Sequence, residues 1–228
     1  MDTVSSSKRA ATIRPVSAGA SSRRTQRDVT PRQGDRRERA ILDATRALLA
    51  ERPFSAVTMG QIAAAAQVPR TSLYFYFADK SQVLLVLYGE VLAEMTAELD
   101  RWFADPDRHA EPWSHASIAA AVEVARRNAP VMRAALDSRG TAPELDATLD
   151  ASFARAVGVS ARLIERERAA GLAPATGPSA PALARALMHM TLQSIDEHLR
   201  LGADAAAAEE LVETLTVVWA RAVGTSPA

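Results

Sequence analysis

Cysteine is absent from this sequence, which excludes disulfides, thiolate metal sites and cysteine nucleophiles and fits a reducing, cytoplasmic setting. No apolar run approaches the roughly 20 residues that a membrane-spanning helix needs, and the N-terminus lacks the apolar stretch of a secretory signal. No membrane association is expected. Enzyme signatures are missing too. The four histidines (His109, His115, His189, His198) form no H-x-x-x-H pair, and no G-x-S-x-G, phosphate-binding loop or dinucleotide fingerprint occurs. Neither a cofactor nor a metal is expected, and these absences weigh against an all-helical enzyme. Glu165, Glu167 and Glu197 have no matched histidine and read as solvated helix faces. His189, among Leu187, Met188 and Met190, reads as a satisfied core residue. Aromatic rings are scarce, with three Trp, three Tyr and five Phe in 228 residues.

What the chain does have is 48% apolar residues, enough to bury a sizeable core. Its formal net charge of zero hides an asymmetry. Residues 1–39 hold ten Lys/Arg against four Asp/Glu, a net +6, so the remainder carries −6. The basic, Ser/Thr/Pro-spotted stretch 1–34 is expected to be a disordered tail. It suits an arm that adds phosphate contacts or enters a minor groove, and equally a solvated tail with no specific partner. Its composition also resembles an organelle transit peptide, although Asp28 and Asp35 interrupt that pattern.

From Asp35 onward apolar residues recur with helical period and no alternating strand is evident, so the fold is expected to be all-α. Ile41, Ala44, Thr45, Leu48 and Leu49 mark a first helix that should end near Glu51, because Pro53 disfavours helical geometry at Arg52. Thr58 and Gln61 form a T-x-x-Q capping box, with Val57 and Ile62 at the staple positions. A helix from Met59 is then broken at Gln67-Val68-Pro69. Two short helices joined by such a turn have the layout of a helix-turn-helix. Asp79 can cap a long helix reaching about Ala104, some 25 residues or about 37 Å. Further helices are expected near 113–128, 130–138, 144–170, 181–201 and 205–223, with Gly171, Gly202 and Gly224 at C-terminal caps. The last two carry apolar stripes (Leu183, Leu187, Met190, Ser194, Ile195, Leu199; Leu211, Leu215, Val218, Ala222). These fit a four-helix homodimer interface or the closing of the monomer's own core.

Four of the aromatic rings stand in a row, in LYFYF (73–77). On a helix Leu73 and Phe77 share one face, and Tyr74 and Tyr76 turn about 100° to either side, where ring edges and hydroxyls suit thymine methyls, sugars or phosphates. Arg70, Thr71 and Ser72 occupy the first turn, where recognition helices place base-reading side chains. Lys80 adds a second positive charge at the next helix start.

The stretch TMGQIAAAAQVPRTSLYFYFADKSQVLL (58–85) resembles the DNA-binding domain of TetR-type transcriptional regulators, with pattern T-x-x-x-I-A-x-x-A-G-V-S-x-x-x-L-Y-x-[HY]-F-x-x-K-x-x-L. The resemblance implies DNA contacts at Thr58, Thr71, Tyr74, Tyr76 and Lys80. Gln67 departs from the pattern's turn glycine, and Pro69 from its capping serine. Gln67 is thus expected to be strained if its φ is positive, and Pro69 cannot accept a capping bond.

RLIERERAAGLAP, LARALMHMTLQS and LVETLTVVWARAVG, together with YFYF and K-x-x-V-L-L, are similar to the ethionamide-resistance regulators within that family. That similarity implies a homodimer built through the last two helices, with a long apolar tunnel for a small lipophilic effector. Trp113, Ser117, Ala120, Phe153, Ser160, Met188, Thr191 and Trp219 correspond to tunnel positions. Met132, Met188 and Met190 fit either a tunnel wall or ordinary core gaps. Ala120 and Ala156 stand where the group has aromatics and Met188 where it has an amide, so the pocket should differ in shape. The implied organisation is a helix-turn-helix domain at 35–80 and a ligand-binding and dimerisation bundle at 81–224. The implied function is an operator-binding repressor released by a lipophilic molecule. A DNA-binding architectural protein with a filled core is the alternative.

Overall fold

A computed structural model of the chain describes residues 33–104, 115–202 and 204–224. Residues 1–32 of the basic tail and Trp113 lie outside the described residues, while Gln33 and Gly34, expected in the tail, belong to the first helix. The described residues form nine α-helices and one short 3₁₀ turn, with no strand among them.

Helix α1 (Gln33–Glu51) stops two residues ahead of Pro53, and the 3₁₀ turn Phe54–Ala56 then carries Phe54 into the core. Helix α2 (Met59–Ala65) opens on the expected capping box. Gln61 N donates to Thr58 Oγ1 at 3.3 Å, and Thr58 N donates to Gln61 Oε1 at 2.9 Å, so two orphan donors are satisfied reciprocally. Val57 and Ile62 are fully buried beneath it. At the other end Val68 N reaches Ala63 O and Gln67 N reaches Ala64 O, the paired bonds of a Schellman cap. That cap needs a left-handed residue, and Gln67 supplies it at φ 55, the one non-glycine residue with positive φ among those described. Helix α3 (Arg70–Tyr76) follows, held down by buried Leu73 and Phe77.

Asp79 caps helix α4 (Lys80–Ala104), its carboxylate accepting from Ser81 N at 2.8 Å and Gln82 N at 3.0 Å, while the Gln82 side chain accepts from Ala78 N. Beyond it lie α5 (His115–Arg127), α6 (Ala129–Asp137), α7 (Pro143–Ala169), α8 (Ala180–Leu201) and α9 (Ala205–Val223). Gly171, Gly202 and Gly224 take positive φ at the ends of α7, α8 and α9, as their positions required.

Two apolar clusters hold these elements. One runs from Ile41, Ile62 and Leu73 through Leu84, Leu87 and Val91 of α4 to Val131 of α6 and Leu145 of α7, so α1–α3 share a core with the C-terminal helices. The second gathers Val157 and Ile164 of α7, Leu187 of α8 and Leu215, Trp219 and Val223 of α9. Most of the α8 and α9 stripe therefore closes the monomer. Leu187, Ile195, Leu199 and Leu215 are buried, whereas Leu192 and Val217 stay exposed.

Two sequence expectations are corrected here. His189 is exposed rather than in the core: two residues past buried Leu187 it has turned about 200° round the helix, and its ring lies 4.3 Å from that of Phe153. Glu167 is buried, unlike Glu165 and Glu197. The chain folds back over the last turn of α7 as Leu172 N and Ala173 N donate to Glu167 O, while Arg166 lies 3.4 Å from the carboxylate.

Candidate nucleic-acid interface

Helix α3 presents its surface in two halves. Leu73 faces the core, fully buried, and Arg70, Thr71 and Tyr74 are exposed, with Ser72 half-buried. Pro69, extended at φ −55 and ψ 139, makes no side-chain cap bond, consistent with the substitution read from the sequence. Arg70 Nη2 donates to the Tyr74 hydroxyl at 3.3 Å, and its guanidinium lies 5.7 Å from that ring's centroid. The arginine and the phenol thus stand as one preassembled, outward-facing pair. Tyr76 is half-buried and packs against the core, and a Cβ at Gly34 of α1 would sit 3.6 Å from its hydroxyl. Its ring is a buttress between α3 and the start of α1 as well as a surface group.

The sequence reading passed over Phe75. Its side chain is 84% exposed, and helix geometry offered the signal, because residue 75 lies about 200° from the buried Leu73.

Lys80 occupies a place the sequence did not suggest. Its Nζ donates to Phe54 O at 2.8 Å, Val57 O at 2.9 Å and Ser55 O at 3.3 Å, and lies 4.5 Å from the Phe54 ring centroid. All three ammonium protons are directed at the carbonyls of the turn before α2. In this structure the residue clamps α4 to the α1–α2 connection instead of offering its charge outward. Thr58, exposed next to that clamp, uses its hydroxyl as the α2 cap.

Behind α3, a polar seam ties the first three helices to the rest. Glu90 of α4 receives Arg46 at 2.7 Å and Arg39 at 2.7 Å, both from α1. Asn128, buried between α5 and α6, accepts from Arg46 at 3.1 Å, and its amide donates to Glu94 Oε2 at 2.8 Å and Val124 O at 3.0 Å. Arg127 reaches the other Glu94 oxygen at 2.7 Å. The Asn128 amide, followed by Arg127, holds the Glu94 carboxyl below the usual carboxylate range. A side chain at the α5–α6 junction is therefore bonded at once to α1 and α4. No local pattern marks this seam, because its partners lie 34 to 82 positions apart in the chain.

Residues 41–87 match the family model for bacterial regulatory proteins of the tetR family, and residues 113–224 match the C-terminal domain of the transcriptional regulator EthR. The chain belongs to the TetR family. The HTH-type transcriptional regulator EthR of Mycobacterium tuberculosis (strain ATCC 25618 / H37Rv) is 29% identical over 205 residues, covering 90% of this chain and 94% of that protein. In fold, a TetR-family transcriptional regulator from Syntrophomonas wolfei superposes with a TM-score of 0.65 at 20% identity, over 84% of this chain and 97% of that one. AibR, solved in complex with isovaleryl coenzyme A and operator DNA, gives 0.62 at 17% identity, over 80% and 97%. This TetR-family, EthR-like chain is accordingly a transcriptional regulator with a DNA-binding domain, and not an enzyme. Among the described residues no helix is long and apolar enough to cross a membrane, and no cluster of metal-ligating side chains occurs.

The residues that an EthR-like tunnel implies are only partly brought together. Phe153, Met188 and Trp219 belong to or pack on the second apolar cluster, where Trp219 Nε1 donates to Thr191 Oγ1 at 2.9 Å. Ser160 of α7 and Ser117 of α5 are buried, and Ala120 of α5 is half-buried. Met132 sits apart, in the first cluster with α4 and α6. Phe153 is overlaid on its outer side by His189 and by Arg185, whose guanidinium is 5.8 Å from the ring centroid. One further polar pair joins α4 to α7 within this body. The Tyr88 hydroxyl lies 3.4 Å from Ser152 Oγ, and burial pushes the phenol's pKa up, against the smaller opposing effects of Ser152 and Arg139.

Proposed function

We propose that this TetR-family regulator is a ligand-responsive repressor, released from its operator by a lipophilic small molecule. The observation that carries the reading is the buried Asn128 junction. A change in the packing of α5 or α6 cannot leave α1 and α4 where they are, because Asn128 bonds to Arg46 and Glu94 directly. The helix-turn-helix unit (35–80) and the effector and dimerisation bundle (81–224) are then coupled by this polar seam as well as by the apolar core they share.

As a homodimer through α8 and α9, which carry the exposed Leu192 and Val217, the protein inserts one α3 per subunit into successive major grooves. Thr58, Arg70, Thr71, Ser72, Tyr74 and Tyr76 form the DNA-contacting set. The effector occupies the second apolar cluster, lined by Ser117, Ala120, Phe153, Ser160, Met188, Thr191 and Trp219. Met132, the remaining residue of the ligand-contacting set, lies on α6 in the first cluster. Such a lining of Met, Trp, Phe and Ala with a few hydroxyls suits an amphiphile held chiefly by apolar burial, at about 25 cal/mol per Å². AibR, with isovaleryl coenzyme A and operator DNA in one complex, supports the idea that this fold can take both partners. Release follows only to the extent that the effector prefers the conformation with the wrong α3 spacing.

Selection of bound sequences from random duplex DNA, repeated in the presence of fractionated hydrophobic extracts, tests both halves. The expected result is a two-fold symmetric sequence from which one fraction releases the protein. Enrichment of a sequence that no fraction releases, with no fraction raising the melting temperature, would leave an effector-free DNA-binding protein.

A further inference from the structure

Phe75 has the largest exposure of any large apolar side chain described in this protein, 84%, on a seven-residue helix whose other outward groups are polar. Leaving such a ring in water forgoes the gain that burying its apolar area would bring. Nothing in the fold requires the exposure. The ring is nevertheless not free to collapse onto the surface: it packs edge-on against Tyr76 at 5.3 Å and 86°, and Tyr76 is itself wedged between the core and Gly34. Phe75 is thus an apolar group aimed away from the scaffold by a rigid support.

We propose that Phe75 reads the 5-methyl group of a thymine in the major groove, one in each operator half-site. This rests on α3 entering the groove, as argued above. A phenyl ring has no donor or acceptor, and the thymine methyl is the one apolar group that base edges present in the major groove. The rest of the helix is poor in base-reading hydrogen-bonders. RTSLYFY contains no Asn, Gln, Asp, Glu or His, and Arg70 is engaged with Tyr74 by both a hydrogen bond and a cation–π contact. A half-site read by this helix therefore depends on a methyl contact more than on the bidentate pairs that Asn, Gln or a free Arg would supply. A protein partner fits less well, because Arg70, Thr71 and Tyr74 flank the ring with polar atoms instead of extending it into an apolar patch.

The test uses the full-length protein and the duplex enriched by selection. Each thymine is replaced in turn by deoxyuridine, which removes only the methyl, and affinity is read by fluorescence anisotropy. One thymine per half-site should lose about fourfold in affinity on replacement, the contribution of one buried methyl, and Phe75→Ala should abolish that sensitivity while binding the uridine duplex as it binds the thymine one. Because the ring lies outside the core, Phe75→Ala should melt as the parent does, which separates a lost contact from lost folding. A profile flat in the parent, or identical in parent and Phe75→Ala, overturns the assignment while leaving operator binding intact. Failure to enrich any sequence overturns this assignment and the groove-insertion reading together.

Discussion

Replacing Gln67 by glycine should make this protein more stable although it deletes a side chain. Gln67 holds the left-handed position of the Schellman cap between α2 and α3, at φ 55. An L-residue there suffers a contact between Cβ and the carbonyl oxygen worth about 1–2 kcal/mol. Glycine escapes it but brings a more flexible unfolded chain, which costs about 0.4–1 kcal/mol. Gln67 is exposed and its side chain makes no packing contact that would be lost from either apolar cluster. The difference is a net gain of about 0.5–1 kcal/mol, and in a chain of this size that raises Tm by roughly 1–4 °C. Differential scanning calorimetry of the parent, Gln67→Gly and Gln67→Ala at one concentration would read it. Gln67→Ala keeps the Cβ and should gain nothing. A glycine variant that melts at or below the parent, or an alanine variant that gains as much, would refute the reasoning.

Other consequences are as direct. Thr58→Ala removes the acceptor for Gln61 N and should lower stability by about 1 kcal/mol in urea titration, with Thr58→Asn restoring most of it. Lys80→Met keeps the stem over Phe54 but strips the donor from three carbonyls. At about 1.5–3 kcal/mol for hydrogen bonds to a charged group, it should be strongly destabilising, yet leave the salt dependence of DNA binding unchanged at temperatures where it is folded. A salt slope reduced by about 0.9 would instead put the ammonium on a phosphate. Glu94 has its folded pKa depressed by Asn128 and Arg127. The stability it contributes is therefore complete above the ordinary glutamate pKa and fades as pH falls through the lowered folded value. Asn128→Ala should raise the Glu94 pKa measured by carbon-13 NMR and flatten the acid limb of the stability curve, because the gap between the folded and unfolded pKa narrows. An unmoved Glu94 titration would show that the seam does not set it.

Local rules in the chain determined much of this architecture. The Thr58 box, the stop before Pro53, the Asp79 cap and the three glycine caps each depend on a few consecutive residues whose backbone groups need partners, and all appear where the sequence placed them. The helix-turn-helix and its inward pair, Leu73 and Phe77, were legible for the same reason. What tertiary structure alone decided involves residues far apart in the chain. Lys80 reads as a surface charge until the carbonyls of 54, 55 and 57 converge on it. Asn128 reads as the last residue of a helix until Arg46 and Glu94 arrive 82 and 34 positions away. The α8 and α9 stripes fitted either a partner or the monomer, and only the docking of α7 beside α8 and of α5 beside α9 settled which apolar faces were already covered. Periodicity fixes which residues share a face of a helix, whereas what lies against that face is set by chain closure over long separations, which no local pattern encodes.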